Sequence, residues 1–327
     1  MQANLRTKPT RRRRQRPYIP RPALQIQSFE FTLDNWDDEW IKLRLRFTRQ
    51  EIRRILPLLY LEQVTYQFRY NPAPEKALCI VLARLAWPNR LADLMPWFGC
   101  SRSQLSVIFN DVVMHLFNLF REKLYWPSSH LSVNILKSFA QAIGRLGGGD
   151  RVWGWLDGTI VKIARPEVNQ GLSYTGYKKS HGLKFQGIVT PNGLLASFAG
   201  PVVAGKSDFA LLQICGICEK IENLWRKNGI PESEELYLYG DPAYCSSSVC
   251  IGPYKQPPVG RLTPSQQLFN TQMSSCRIEV EHGFGLVKNL WKLLDLKSGL
   301  RTGNSPVASW VGYAVLFTNI FTYLRGN

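Results

Sequence analysis

A chain of 327 residues has room for one large domain or two modest ones. Its 45% hydrophobic content, with ten Trp and sixteen Phe, is that of a globular protein with a sizeable core. The formal net charge is +17; Met1–Pro22 supply eight Lys or Arg and no acid, and subtracting those eight leaves +9 on the remainder, which points to a polyanionic partner for the folded body as well as the tail. Seven cysteines and an N-terminus without the apolar core of a signal peptide argue against a disulfide-built secreted domain and for free thiols in a reducing compartment.

Residues 1–27 read as a disordered basic arm, rich in Pro and without apolar periodicity. Its run Arg11, Arg12, Arg13, Arg14 suits a nuclear address, a DNA-gripping arm or a solubilising tail. Residues 28–147 read as a helical region. Thr48-Arg-Gln-Glu51 fits a capping box, with Phe47 and Ile52 as its hydrophobic staple. The helix begun there would reach about Tyr60 unless Pro57 ends it. Glu75–Ala86 predicts a helix closed by Trp87-Pro88, and Leu91–Phe98 a short one distorted by Pro96.

After a turn at Gly99, Ser101-Arg-Ser-Gln104 caps a longer helix with a buried stripe of Leu105, Ile108, Phe109, Val112, Val113, Leu116 and Phe117. Helix, tight turn and capped second helix make a helix-turn-helix pattern. Arg102, Ser103 and Gln104 would then open the recognition helix, although such helix pairs also occur for structural reasons alone.

The period changes in 148–327, which reads as an α/β unit with a mixed sheet. Val152–Leu156 is an apolar run predicting a strand that ends in Asp157. Tyr174–Gly200 predicts two strands around the turn Pro191-Asn-Gly193. Ser207-Asp208 caps a helix from about Phe209 to Asn228, with Asp208 read as part of the cap. That helix carries Cys215-Gly-Ile-Cys218, which lacks a second pair at zinc-ligand spacing and reads as buried thiols. Glu235–Tyr239 predicts a strand running into Asp241, Cys245–Ser265 a loop, and about Ser275–Leu294 a final amphipathic helix carrying Glu281. Val307–Leu324 is nearly long enough to span a bilayer, but Ser309, Thr318, Asn319 and Thr322 interrupt it, and a buried C-terminal helix is expected.

Three acids far apart in sequence stand in distinctive settings: Asp157 in Trp153-Gly-Trp-Leu-Asp-Gly-Thr159, Asp241 in Leu236-Tyr-Leu-Tyr-Gly-Asp-Pro-Ala-Tyr244, and Glu281 in Arg277-Ile-Glu-Val-Glu-His-Gly-Phe-Gly285. Acids at the ends of adjacent strands, with one from a helix packed on them, can converge on a pair of hard divalent cations that clamp a phosphodiester. Taken singly, such an Asp is more often a turn former or cap.

The segments Leu156-Asp-Gly-Thr159, Tyr177-Lys-Lys-Ser-His-Gly-Leu-Lys-Phe-Gln186, Pro191-Asn-Gly193, Gly240-Asp-Pro-Ala-Tyr244 and Val280-Glu-His-Gly-Phe-Gly-Leu-Val-Lys288 together resemble PIF/Harbinger-type DDE transposases and their derived endonucleases. The resemblance covers about Leu78 to the C-terminus, with the motifs in order. It implies an RNase H-like catalytic core, a mixed five-stranded sheet flanked by helices, preceded by the helix-turn-helix-like region. Carried over by motif, Asp157, Asp241 and Glu281 are the catalytic and metal-holding acids, with Mg²⁺ or Mn²⁺, two ions, as cofactor. The implied chemistry is attack of water on a DNA phosphodiester, the freed 3′-hydroxyl then serving as nucleophile for strand transfer.

Glu279 competes with Glu281 for the third place. Residues two apart on a helix lie about 200° apart, so only one faces the metals. Glu281 shares its side with Arg277 and Lys288 and stands three residues before the Phe-Gly pair, and it is the choice here. Lys178, Lys179, His181 and Lys184 follow Tyr174 and Tyr177 in a basic strand-like segment; with Arg277 and Lys288 they would contact phosphates, or else form the solvated face of an edge strand. His282 reads as a partner to its acid neighbour.

The resemblance also implies double-stranded DNA as substrate, a Myb-like partner protein that supplies end recognition and nuclear import, and a nuclear location. Cutting and joining two ends together would suggest a homodimer. No membrane association is expected. The leading reading is a metal-dependent DNA endonuclease or transposase. The alternative is a domesticated DNA-binding protein of the same fold that does not cleave; an intact triad favours the first, because three converging carboxylates beside DNA repel unless metals neutralise them. An RNase H-like ribonuclease fits the helix-turn-helix region less well. Deleting residues 1–22 is expected to flatten the dependence of log affinity on log salt, by a slope of roughly 0.9 for each phosphate that the arm neutralises. Titration of DNA binding at several salt concentrations reads this, and an unchanged slope would mean that the arm does not touch DNA.

Overall fold

Side-chain caps set where several helices of the N-terminal region start. The computed structural model describes residues 29–88, 90–244, 247–258, 260–296, 300–303 and 305–326, with the side chains of residues 69 and 276–282 outside the description, so the basic arm with Arg11, Arg12, Arg13 and Arg14 also lies outside it. Helix α1 (Asp38–Leu45) begins at Asp37, whose carboxylate accepts from the amides of Glu39 and Trp40. Helix α2 (Arg49–Ile55) carries the predicted Thr48/Glu51 capping box, and Phe47 and Ile52 are both fully buried. It stops at Ile55 and not near Tyr60: Pro57 brings no N–H, and the chain tightens into a 3₁₀ turn over Leu56–Leu59.

Helix α3 (Pro74–Ala86) is buried along most of its length. Helix α4 (Leu91–Phe98) accommodates Pro96 and ends on Gly99 in the left-handed region (φ 60°). Helix α5 (Arg102–Tyr125) starts from the reciprocal Ser101/Gln104 box and buries Leu105, Ile108, Phe109, Val112, Val113 and Leu116. Phe117, the last of the predicted stripe, is half-buried. Helix α6 (Val133–Arg145) then leads to the sheet.

The α/β part runs β1 (Val152–Lys162), α7 (Gln170–Ser173), β2 (Tyr174–Thr175), β3 (Ser180–Val189), β4 (Leu195–Val203), α8 (Asp208–Ile214), α9 (Ile217–Lys227), β5 (Tyr237–Gly240), β6 (Cys250–Ile251), α10 (Pro264–Leu290) and α11 (Val307–Arg325). Apart from the two-residue β2, which pairs with β3, the strand order is β4-β3-β1-β5-β6. The pairs β1–β3 and β3–β4 are antiparallel, and β1–β5 and β5–β6 are parallel. This is the mixed-sheet α/β arrangement that the sequence predicts.

Several boundaries in this part differ from expectation. Strand β1 does not end at Asp157 but continues to Lys162, paired there with β3 alone, because β5 stops at Gly240 opposite Leu156. The helix expected over Phe209–Asn228 is two, broken where Gly216 takes a left-handed φ of 64°. Residues 245–265 are not all loop, since Cys250–Ile251 pair with β5. Helix α10 begins at Pro264, about three turns before Ser275, from a Thr263/Gln266 capping box whose polar, largely exposed first turns hide the amphipathic period. It also stops at Leu290, before a 3₁₀ turn over Lys292–Asp295.

The sheet is covered on both faces. Trp155, Phe185, Val189 and Tyr239 lie in one buried cluster with Phe284 of α10, Tyr313 and Phe317 of α11, and the stripe of α5. That cluster also takes in Leu33, Ile41 and the α3 residues, so the helices of 29–146 and this face share one core. Trp153, Leu156, Ile188 and Leu238 belong to a second cluster on the opposite face with α6, α8 and α9. Helix α11 is long and apolar enough to cross a membrane by length and composition, and it is a core helix here, with Trp310, Tyr313, Ala314, Val315 and Phe317 buried.

Helix α10 lies close on the sheet at Gly187. A Cβ there would be 2.8 Å from Phe284 Cζ and 2.9 Å from Leu195 Cδ2. Gly187→Ala is therefore expected to destabilise the protein by about 1–3 kcal/mol through overpacking. Phe284→Leu should recover part of that loss in urea unfolding. A loss below about 0.5 kcal/mol, the range of an inert substitution, would mean that the helix stands further off.

Candidate active site

Strand alternation brings the first two acids together. Trp155 and Tyr239 face α10, and Asp157 and Asp241 stand two positions after them, so the pleat turns both acids to that same face. The parallel register pairs Leu156 with Gly240, which sets Asp157 and Asp241 side by side at the carboxyl end of β5. Both are half-buried. The carboxylate of Asp241 accepts the amide of Ala243 at 2.9 Å, and its carbonyl accepts the amide of Tyr244 at 3.0 Å, so a tight turn fixes the residue just past the strand.

Helix α10 crosses above them. Asp157 is paired with Gly187, onto which Phe284 packs, and a Cβ on Gly283 would lie 3.1 Å from Val189 Cγ2. One turn beyond Phe284, Lys288 is half-buried, and burial lowers its pKa. Among the charges it senses, Asp295 and Asp157 oppose that shift while Lys178 and Lys162 add to it. Lys178 and Lys162 thus stand within electrostatic reach of Lys288, which also senses Asp157. Lys162 was not among the sequence candidates because the strand was expected to end at Asp157. The backbone of α10 runs through Arg277, Glu279, Glu281 and His282, whose side chains lie outside the described residues. Among the described residues no three His, Cys, Asp or Glu group as metal ligands; the register makes Asp157 and Asp241 neighbouring positions.

The basic segment of β3 divides between two environments. Tyr177 is 86% exposed at the tip between β2 and β3, with Lys178 Nζ 4.6 Å from its ring centroid and Lys179 beside it at a left-handed φ of 45°. His181 sits edge-on to Tyr174 across the short β2–β3 pair. Lys184, expected to contact phosphate, instead turns to the face opposite Asp157, as its odd spacing from His181 dictates. Its side chain is 9% exposed and its Nζ donates to the Lys206 carbonyl at 2.6 Å and pairs with Asp208 at 3.1 Å.

Asp208 in turn is not the cap of α8. The Ser207 hydroxyl does that by accepting from the Ala210 amide, and Asp208 serves as partner to Lys184. Next to them, Tyr244 is fully buried; burial first, then the charges of Asp208, Asp157 and Asp241, raise its pKa, so the phenol keeps its proton.

In the helix-turn-helix-like unit, Arg102 and Ser103 are exposed while the Gln104 side chain accepts the Ser101 amide at 2.8 Å. Cys215 and Cys218 are half-buried free thiols, and burial pushes the Cys215 pKa up to about 11, which keeps it unreactive. A cavity of about 800 Å³ lined by Trp126, His130, Phe139, Thr190 and Leu194 lies by the β3–β4 turn and holds none of the candidate acids.

A model of the DDE superfamily endonuclease family matches residues 156–319, just over half of the chain. No curated protein and no solved structure matches it. The matched span opens one residue before Asp157 and closes within α11, taking in most of the sheet and the whole helix that crosses the acids. The chain belongs to the DDE superfamily endonucleases, and its mixed sheet is that of an RNase H-like core.

Proposed function

We propose that this protein is a divalent-metal-dependent DNA endonuclease or transposase of the PIF/Harbinger type, with Asp157, Asp241 and Glu281 as its metal-holding acids. The β1–β5 register carries the reading: it sets two carboxylates side by side on one face, under the helix that bears the third candidate. Positions 281 and 288 lie seven apart on α10, within about 20° around the axis, whereas 279 falls roughly 160° from 281 on the other flank. Lys288 senses the charge of Asp157, so its flank is the one turned toward the acid pair. That favours Glu281 over Glu279.

The donor set suits Mg²⁺ or Mn²⁺, hard cations that prefer carboxylate oxygen. Such ions, when bound, supply Lewis acidity at the phosphate and a more acidic attacking water. The protein's share is to hold and orient. Asp157 and Asp241 are fixed by a ladder and a tight turn, and Lys288 and Lys178 meet the negative phosphate. The exposed Lys178 and Lys179 extend that basic path along the duplex. The division into a helical region over 28–147 and a nuclease unit over 148–327, the use of Arg102 and Ser103 on DNA, a homodimer, a Myb-like partner and a nuclear location complete the proposal.

Nicking of supercoiled plasmid with Mg²⁺ or Mn²⁺ tests it. Asp157→Ala, Asp241→Ala and Glu281→Ala should each cut activity by roughly 100-fold or more, the loss of several kcal/mol of charge stabilisation. Glu279→Ala should stay near wild type; the reverse pattern would transfer the third role to Glu279. Tight DNA binding without nicking, even with an added Myb-like protein, would instead favour the domesticated binder.

The lysines should separate by role. Lys178→Ala and Lys179→Ala should each lower the salt slope of DNA binding, by up to roughly 0.9. Lys184→Ala should leave that slope unchanged and lower stability by about 1–3 kcal/mol, since it strands a partly buried carboxylate. A changed slope in Lys184→Ala would contradict its inward placement.

A further inference from the structure

The face of the sheet turned away from Asp157 carries a buried polar group for which holding a metal gives no direct reason. Tyr244 is fully buried, and its ring spans two strands. At one end it rests on Gly240 of β5, where a Cβ would lie 3.1 Å from Tyr244 Cβ and 3.2 Å from Cδ2. At the other end its hydroxyl reaches Gly158 of β1, where a Cβ would lie 2.9 Å from it and 2.9 Å from Asp208 Oδ1. Those two glycines adjoin Asp241 and Asp157 in the chain.

The hydroxyl has no hydrogen-bond partner among the described residues, nor has the amide of Gln186, which stands opposite Gly158 in the β1–β3 register and is 1% exposed. Burying a hydroxyl where phenylalanine would pack costs free energy, so its placement needs a reason. The ladder supplies one. Strand β5 has four residues, its pairing with β1 shifts register between Val152 and Gly154, and the last pair is Leu156 with Gly240. Asp241 lies beyond that pair and is tied to Tyr244 through the turn. Two like-charged carboxylates held side by side repel, and a hard cation tolerates little error in their spacing.

We propose that Tyr244 is a positioning residue for the acid pair: a buried brace from β5 to β1 whose ring length sets the spacing of Asp241 and Asp157, and whose hydroxyl is seated at Gly158 beside the Lys184-held Asp208. This rests on the reading of Asp157 and Asp241 as metal-holding acids. The test is Mn²⁺ binding to the full chain, without DNA, by isothermal titration calorimetry. Wild type should bind, and Asp157→Asn should abolish binding.

Gly158→Ala puts a methyl group against the hydroxyl and the Asp208 carboxylate, and should weaken binding by roughly tenfold or more, as loss of an outer-shell partner does. Tyr244→Phe keeps the ring and should cost clearly less than about tenfold. Combined with Gly158→Ala it should recover part of the loss, because one of the two atoms that the methyl group displaces is gone. Wild-type binding in Gly158→Ala, or a double variant as weak as Gly158→Ala, would overturn the brace. If Gly158→Ala does not fold, Tyr244→Leu, which fills the base of the site without reaching Gly158, should weaken binding roughly tenfold, and unchanged binding would overturn the brace equally. A wild type that takes up no Mn²⁺ would sink the acid-pair reading itself, whereas binding lost in Asp157→Asn alone would sink only the brace.

Discussion

The short parallel ladder between β1 and β5 sets where the two candidate acids stand. In a parallel ladder the register fixes which residues stand level, and a slip by one would carry Asp241 to the opposite face. Leu156 against Gly240 is the last step of that ladder, and both acids follow it directly. Parallel strands require a long crossover, and here the chain makes β3, β4, α8 and α9 before returning as β5. The acids meet because the chain between them builds the rest of the same sheet and its cover.

The two faces of the sheet divide the work. On one, Phe284 settles onto Gly187 and brings α10 within reach of Asp157, and Lys288, one turn further on, senses that acid's charge. On the other, the fully buried Tyr244 and the half-buried Asp208, paired with Lys184, stand over Gly158. Glycine at 158, 187 and 240 is what permits each approach, since a Cβ at any of them would come within 3 Å of a neighbour. The core that supports the α10 face continues through α11, α5 and α3, so the N-terminal helices lend their burial to the sheet that holds the acids.

Much of this was legible in the residues. Thr48-Arg-Gln-Glu51 and Ser101-Arg-Ser-Gln104 place their helices because a capping box is a local exchange of hydrogen bonds. The stripe from Leu105 to Leu116 declares a buried face, and the runs ending at Leu156 and Tyr239 declare strands covered on both sides. Less visible were the second half of β1, which pairs on one side only, and the polar opening turns of α10, whose own box at Thr263 is the signal that would have found them. Lys184 was misjudged because a run of basic residues looks uniform in sequence, whereas a strand sends alternate side chains to opposite faces.

By itself, then, the sequence determined the local elements, the basic character and the motif set that mark a DDE nuclease, since caps, periodicity and charge act over a few residues. Only the tertiary structure decided that Asp157 and Asp241 stand level, that Lys288 senses Asp157 while Lys184 turns inward, and that Tyr244 bridges the strands behind them. Those relations join residues far apart in the chain, through a register and a packing distance that no short stretch of sequence encodes.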